Sequence, residues 1–466
     1  MMRAMLAVVL LGVCAAHGQG ERSTSEIMAL IEAANVGDVI VVPAGVYHGR
    51  LQVRKGVTLE GGGSAIIDGG GKDTVVELLA ENITFRGFIV RGSGTGVDHE
   101  PAGIRAETGP AIIEGNRLED VLFGIDVKSG PRSIVRANTV IGKDLDVGRR
   151  GDGIRLWWSN ESIVEDNTVT LSRDMVFWYS EDLVIRRNTV DDSRYGLHFM
   201  YTHGASVTEN RLERNSVGLY LMYSSGIAVE RNYLTRNRGP SGYGLGLKDC
   251  DDIVVRENQF LANRVGIYVD SSPLAHDGVG IVEGNLIAYN EIAFLMTPNT
   301  KGNVFTRNGF IDNEQQGAVH GRGTLNGSAY SRDGVGNYWS DYAGFDVDGD
   351  GVGDLPHKPA GLFDSLMARE PNLRLFVRSP AQQAIEFTAR ALPEVRPEPL
   401  FEDAAPLMAV PVVARSVESA SARWRVAGVG TVLLAGSVGV VLLVARVPVL
   451  RAGNAPGVQS RKEGVS

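Results

Sequence analysis

Cysteine is almost missing from this chain of 466 residues: there are two, Cys14 and Cys250. Cys14 lies in an N-terminal stretch with the layout of a removable leader, so one thiol remains and no internal disulfide can form. Cys250, in the turn Lys248-Asp249-Cys250-Asp251, reads as a packed thiol rather than a nucleophile. Positive charge is also short. The formal net charge is −9 at pH 7, and no basic stripe carries the interleaved aromatics that track a phosphate backbone, which argues against a nucleic-acid partner. Nothing resembles a phosphate-binding loop, so ATP hydrolysis is not assigned to this chain.

What the chain has instead is 58 glycines and a returning asparagine. Asn116, Asn138, Asn167, Asn188, Asn210, Asn232, Asn258, Asn285 and Asn308 share a frame like Ile-Val-x-x-Asn-x-hydrophobic, and four of them, Asn167 to Asn232, lie 21, 22 and 22 residues apart. A second set, Asn215, Asn237, Asn263, Asn290 and Asn313, follows five residues later, and then a strand such as Gly218-Leu219-Tyr220-Leu221. Short alternating strands at a period near 22 are the mark of a solenoid. The expected fold is all-β, a right-handed parallel β-helix over 26–342 of roughly twelve coils. Residues at equivalent positions then stack about 4.8 Å apart, and function must be sought in columns. The asparagines themselves read as structural ladders that satisfy backbone groups and one another.

The ends carry other signals. Arg3, an apolar run from Ala4 to Val13 and small residues to Ala16 or Gly18 predict a secretory signal over 1–18. Val13 before Cys14 does not suit lipid attachment. Ile27, Leu30, Ile31 and Ala34 share a helical face that would cap the first coil and hide an open β-edge. At the other end, Asp346 to Asp354 opens a region (343–375) that closes the solenoid. Ser379-Pro380 starts a helix with Ala384, Ile385, Thr388 and Ala389 on its apolar face, and a proline-rich stretch makes 376–424 a tether. Val426 to Ala445, twenty uncharged residues between Arg425 and Arg446, predicts a transmembrane helix over 425–446. A slight excess of Arg and Lys beyond it makes 447–466 a cytoplasmic tail and the protein an exported one, anchored in the inner membrane.

Aligning coils on the glycine before the strand yields two outward columns. The first holds Asp126, Arg155, Val176, His198, Tyr220, Gly246 and Tyr268; the second holds Lys128, Trp157, Trp178, Met200, Met222, Lys248 and Asp270. An outward face with two Trp, two Met, a His and two Tyr is no ordinary solvated surface. Its plainer reading is an apolar patch against another segment or a partner. Its chemical reading is a soft-metal site: His198 and Met200 point the same way, Met222 lies one coil on, His203 sits at the next turn, and imidazole and thioether suit Cu(I). Arg155, Trp157, Trp178, Tyr220 and Tyr268 would form the surrounding groove. Its walls would be the insertions at Gly142 to Arg150 and Arg238 to Gly242, which leave the same corner of the stack; a third insertion lies around Ser271 to Gly278.

Two further sites compete for attention. Asp98-His99-Glu100 offers the paired carboxylates and base of a sugar-acting enzyme, though no ladder of carboxylates or Lys/Arg is evident above it to hold an anionic sugar. Asp346, Asp348, Asp350 and Asp354 occupy positions 1, 3, 5 and 9 of a calcium-loop pattern with Gly351 at position 6, but His357 stands at position 12, leaving Asp364 or Glu370 to complete the ligands of a structural Ca²⁺.

Several runs together resemble the NosD family: Gly37-Asp38-x-Ile40-x-Val42-Pro43-x-Gly45-x-Tyr47, Gly153-Ile154-Arg155-Leu156-Trp157-Trp158-Ser159, Met175 to Glu181, Gly196 to Tyr201, Gly336-Asn337-Tyr338-Trp339-Ser340 and Arg396-Pro397-x-Pro399-Leu400. The resemblance covers roughly 25–410 and implies a periplasmic accessory protein for the copper centre of nitrous oxide reductase, itself not an enzyme. It implies copper as cargo, and as partners the permease and ATPase of a membrane ABC transporter, a copper-chaperone lipoprotein and apo nitrous oxide reductase. Pro393 to Met408 would be the strap that docks the transporter, through Arg396, Pro397, Pro399 and Leu400. The membrane anchor departs from what is expected of purely periplasmic members. The competing expectation is a β-helix polysaccharide lyase, epimerase or hydrolase, because the fold hosts many of these; a passive scaffold is the third.

Overall fold

The computed structural model describes residues 22–411, apart from 299, 322, 368 and 396. The expected signal (1–18), transmembrane helix (425–446) and tail (447–466) lie outside the described residues. Among the described residues no helix is long and apolar enough to cross a membrane.

Three parallel faces wind into a solenoid. The first runs from Val39–Val41 to Asn303–Thr306, the second from Arg22–Ser23 through Gly45–His48 to Tyr338–Trp339, and the third is a sheet of twelve strands from Leu51–Val53 to Gln315–Val319. Two strands, Thr58–Asp68 and Ile83–Arg91, bend round a corner and join the first two faces, with a register break between Glu60 and Ala65 where Gly62 and Gly63 take positive φ. The alternation of side chains dictates this arrangement: Ile125, Ile154, Leu197, Leu219, Leu245 and Ile267 are wholly buried in the interior, and a one-residue slip would expose the whole set.

Asparagine supplies the corner. In Asn188, for example, Nδ2 donates to Val164 O at 2.9 Å and to Asn210 Oδ1 at 3.0 Å, while its backbone N donates to the same Oδ1 at 3.0 Å. The pattern repeats from Asn116 to Asn337, and the last asparagine ends on Asp403, whose Oδ2 accepts from Asn337 N at 2.8 Å. Buried turn groups that a loop would leave unsatisfied are thus bonded coil by coil.

Both ends are closed. Helix α1 (Thr24–Ala33) begins with a capping box of Ser23 and Glu26 and buries Ile27 and Ile31 over the first coil. At the far end Phe294, Phe305, Phe310, Tyr330 and Trp339 fill the last coils and receive Phe401, which is fully buried. Residues 400–408, expected as part of a tether, therefore belong to the cap. Leu400 O accepts from Leu325 N at 2.8 Å, Asp403 pairs with His357, and Leu407 N donates to Asn337 O at 2.9 Å. An aromatic end needs a cover, and Phe401 supplies it. Helices α2 (Leu362–Met367) and α3 (Pro380–Ala391) pack beside it. Helix α3 starts at Ser379-Pro380 as expected, but Ala384 and Thr388 face solvent; its inner side is Ile385, Glu386 and Ala389, because Glu386 accepts from Phe363 N at 2.8 Å.

Candidate functional site

The third face carries the two outward columns in one register. Arg155 pairs with Val176, Val176 with His198, His198 with Tyr220, and Trp157, Trp178, Met200 and Met222 follow one another on neighbouring strands. Met200 and Met222 are adjacent and half-buried, whereas His198 is only 5% exposed. His203 sits at the following corner, exposed, with Nδ1 2.8 Å from Ser225 Oγ; it does not join His198. Tyr268 lies two coils beyond Tyr220 and stacks on Tyr243 at 4.4 Å.

The first column is roofed rather than open. The turn at Val97–His99 lays Glu100 onto Arg155 with two bonds of 2.9 and 2.7 Å, and Arg155, expected on a groove surface, is 1% exposed. Arg155 also holds Asp126 at 2.9 Å. A ladder of charge that the sequence did not reveal therefore runs through adjoining coils: Glu100, Asp126, Asp152 and Asp174 alternate with Arg105, Arg155, Arg173 and Arg194. It neutralises itself. The hydrogen bonds from Arg155 hold the Glu100 carboxyl down to about 2 against the effect of burial, and burial with the nearby Asp174 charge pushes Asp152 up to about 6. Asp98 and His99 stay exposed, 3.3 Å from each other and apart from the Arg155-bound Glu100, so the pair of carboxylates with a base that a sugar-acting enzyme would use is split.

At the end of this ladder stands His198. Its Nδ1 lies 3.0 Å from Asp174 Oδ2, and Asp174 is held from the other side by Arg194 at 2.8 Å. Burial raises the Asp174 carboxyl, yet the bonds from His198 and Arg194 outweigh it and keep it below its ordinary range. A neutral ring that gives its Nδ1 proton to a carboxylate keeps the lone pair on Nε2. That Nε2 is buried and has no hydrogen-bond partner among the described residues; neither has Trp178 Nε1. Tyr195 meets the imidazole edge-on at 4.9 Å and Tyr220 lies 6.3 Å away at 26°, an aromatic wall that excludes water. An imidazole fixed by a carboxylate, with one bare nitrogen on a face that also carries the thioethers of Met200 and Met222, offers donor types suited to a soft monovalent metal.

The two insertions do wall a common cleft, but not over the His/Met cluster. A cavity of about 320 Å³ lies between Val147 and Arg150 on one side and Arg238 to Pro240 on the other, and its floor is Asp192, Ser193, Arg214, Asn215 and Ser216. The insertions leave the chain before the strand glycine and so stand over the corner that precedes His198. A larger cavity, about 1120 Å³, opens between the last coil and α2 and α3, lined by Gln315, Asp364, Arg374, Glu386, Pro397 and Leu400 among others. Burial pushes the Asp364 carboxyl there up to about 6.

Of the remaining candidates, Asp346, Asp348 and Asp350 bring carboxylate oxygens within 4.8 Å of one another, as a hard cation with a water shell would need. Asp354 is turned to Val347 N at 2.7 Å. Neither His357, stacked on Trp339 inside the cap, nor Asp364, bonded to Gln315, joins the loop, and Glu370 accepts from Asn372 instead. Leu400 is pinned between Leu325 and Pro359, while Pro397 and Pro399 are half-buried; Arg396 lies outside the described residues.

Missed in the sequence were Asp174, which takes the place of the strand glycine, Arg194 and Tyr195, which precede Gly196, and a ladder of surface aromatics. Trp158, Tyr179, Tyr201 and Tyr223 each follow a second-column residue and stack at 4.9, 5.1 and 5.0 Å. The signal was available: four consecutive coils carry an aromatic one residue after the strand, at the coil period.

Fold and site together define a parallel β-solenoid with a His, Met and aromatic outer face beside a ladder of paired carboxylates and arginines. The family model described as periplasmic copper-binding protein (NosD) matches residues 136–344. A probable ABC transporter binding protein NosD from Pseudomonas aeruginosa is 30% identical over 381 residues, 79% of this chain and 87% of the relative. A protein of the same description from Stutzerimonas stutzeri is 33% identical over 130 residues, 28% of this chain and 29% of that one. The chain belongs to the NosD family. The solved A-module of the Azotobacter vinelandii mannuronan C-5 epimerase AlgE6 superposes with a TM-score of 0.52 at 17% identity, over 67% of this chain and 96% of that one. The catalytic unit of a GH87 α-1,3-glucanase from Streptomyces thermodiastaticus gives 0.51 at 15% identity, over 71% of each chain. These two likenesses establish the winding of the solenoid.

Proposed function

We propose that this protein takes up Cu(I) outside the cytoplasm and passes it on during assembly of the copper centre of nitrous oxide reductase, working with an ABC transporter. Copper is cargo here, and the chain performs no chemical transformation on it. The observation that carries the reading is the bare Nε2 of His198: a buried nitrogen without a partner is costly to leave, and a carboxylate on Nδ1 both orients the ring and strengthens it as a ligand. Met200 and Met222 on adjoining strands supply the soft donors that favour Cu(I) over harder ions. Family membership and the ABC-transporter wording in the relatives' names support the setting. The permease and ATPase of that transporter, a lipoprotein chaperone that donates copper and the apo reductase that receives it complete the scheme, with export and membrane anchoring as the sequence suggests.

The test is a Cu(I) titration of the full chain against a competing chelator, beside a His198→Ala/Met200→Ala/Met222→Ala variant. Loss of affinity in the variant is expected; equal affinities remove the site. A sugar-acting enzyme is the weaker reading because the charge ladder a uronate polymer would need is buried and internally paired. Turnover of alginate or pectin oligosaccharides by the full chain would reverse that judgement.

A further inference from the structure

The cleft between the two insertions lies away from the His/Met face, and its charge runs against that of the chain. Among the described residues its lining holds four arginines, Arg150, Arg214, Arg236 and Arg238, and one carboxylate, Asp192. The protein as a whole carries −9. The volume of about 320 Å³ stands at the lower edge of ligand pockets, roughly 300–1,000 Å³.

Arg150 is not placed as a solvated surface charge. Its side chain is 11% exposed. Nε donates to Leu145 O at 2.7 Å and Nη1 to Asp192 O at 2.7 Å, two carbonyls that fix the guanidinium plane, whereas the nearest carboxylate oxygen, Asp192 Oδ1, stays 3.8 Å off. Nη2 has no acceptor among the described residues. Arg155 shows the contrast: buried more deeply still, it meets carboxylates at 2.7 and 2.9 Å. A cation drawn out of water calls for an anion at bonding distance. The exposed Arg236 adds a second open charge, with no carboxylate oxygen within 4.0 Å among the described residues. Arg214 and Arg238 are partly neutralised from outside the lining, by Asp191 and Glu213 and by Glu291, which also hold them in place.

Both walls are fixed by the fold. Arg150 ties the first insertion to the turn at Asp192, 42 residues on. The second is pressed onto the floor: a Cβ at Gly239 would fall 2.4 Å from Ser216 Oγ and 2.6 Å from Ser216 Cα, so glycine is what lets this loop close. A cleft set in advance spares a ligand the cost of ordering it. Arginines reach the cavity from both walls and from the floor, which favours a ligand with acceptor oxygens on every side, and their planar forks match phosphate oxygens in pairs.

We propose that this cleft binds a phosphate group, as the free dianion or as the monoester end of a small molecule, with Arg150 and Arg236 as its main ligands and Asp192 as the charge that limits its affinity. The site is independent of the copper reading and stands or falls without it.

Inorganic phosphate, glycerol 3-phosphate and acetate, titrated calorimetrically onto the full chain at a matched ionic strength of roughly 0.05 M, where exposed charge is least screened, are the probes. Phosphate is expected to bind at least about tenfold more tightly than acetate. Glycerol 3-phosphate assigns the source: binding as tight as phosphate supports an ester ligand, and weaker binding supports the free ion. Arg150→Gln and Arg236→Gln should each weaken phosphate binding at least about tenfold, and the exposed position of Arg236 keeps the test valid where loss of Arg150 unsettles the insertion. Asp192→Asn, at a φ of 48° that asparagine accepts, should tighten it at least about threefold, a gain that a merely structural role does not produce. Arg132→Gln, exposed and outside the cleft, should change nothing. Acetate binding as tightly as phosphate, an Arg236→Gln variant that binds like wild type, or an Asp192→Asn variant that fails to bind more tightly overturns the proposal.

Discussion

Asp174 and His198 meet across adjacent coils, Oδ2 to Nδ1 at 3.0 Å, and this contact decides which imidazole nitrogen remains available. The carboxylate is itself clamped by Arg194, so it cannot swing away. Asp174→Asn keeps the shape of the side chain and removes its charge. Cu(I) affinity should fall by about ten- to a hundredfold, the usual loss when the group behind a metal-bound histidine is changed. A competition titration reads it, and an unchanged affinity would detach Asp174 from the site.

The asparagine ladder should be as costly to break in its middle as its bonding suggests. Asn210 Nδ2 donates to Ile185 O and Asn232 Oδ1, and its own Oδ1 accepts from Asn188. Asn210→Ala strands several buried groups, each worth about 1–3 kcal/mol unsatisfied. A loss on the order of 3 kcal/mol in denaturant unfolding is expected, against little change for the exposed Arg236→Ala.

Phe401 tests whether the proline-rich stretch closes the solenoid. Fully buried against Phe294, Tyr330 and Trp339, it should cost about 3–5 kcal/mol as Phe401→Ala. Limited proteolysis of the variant should cut within 397–408. A strap free for docking would show neither the lost stability nor the new cleavage.

Asp364 carries a pH signature. Its folded-state carboxyl is raised by burial to about 6 from 3.8, so the folded form holds its proton more tightly than the unfolded one. Stability from this group is fully present below about pH 4 and is lost as pH rises through 6. Asp364→Asn should therefore raise the melting temperature at pH 7.5 and leave it nearly unchanged at pH 4.

The winding of the chain was legible because a solenoid repeats its instructions. From Asn116 onward the coils carry an Asn for the corner and most a Gly before an alternating strand, so the columns holding Arg155, His198 and Tyr220, and those holding Trp178, Met200 and Met222, follow from spacing alone. The cap was only half legible. Helix α1 has a capping box in its sequence, whereas the return of Phe401 and Asp403 to the last coil joins residues more than sixty positions apart, for which no local pattern exists.

What the sequence determined by itself is the register: a period near 22 and strict alternation leave one way to bury the aliphatic set, and the neighbours on the outer face follow from it. Only the tertiary structure decided what covers that face. Whether Arg155 meets solvent or Glu100, and whether the His198 ring is tied to Asp174, depends on where non-repeating turns fold back. Those turns are placed by long-range burial and charge pairing, which no local spacing encodes.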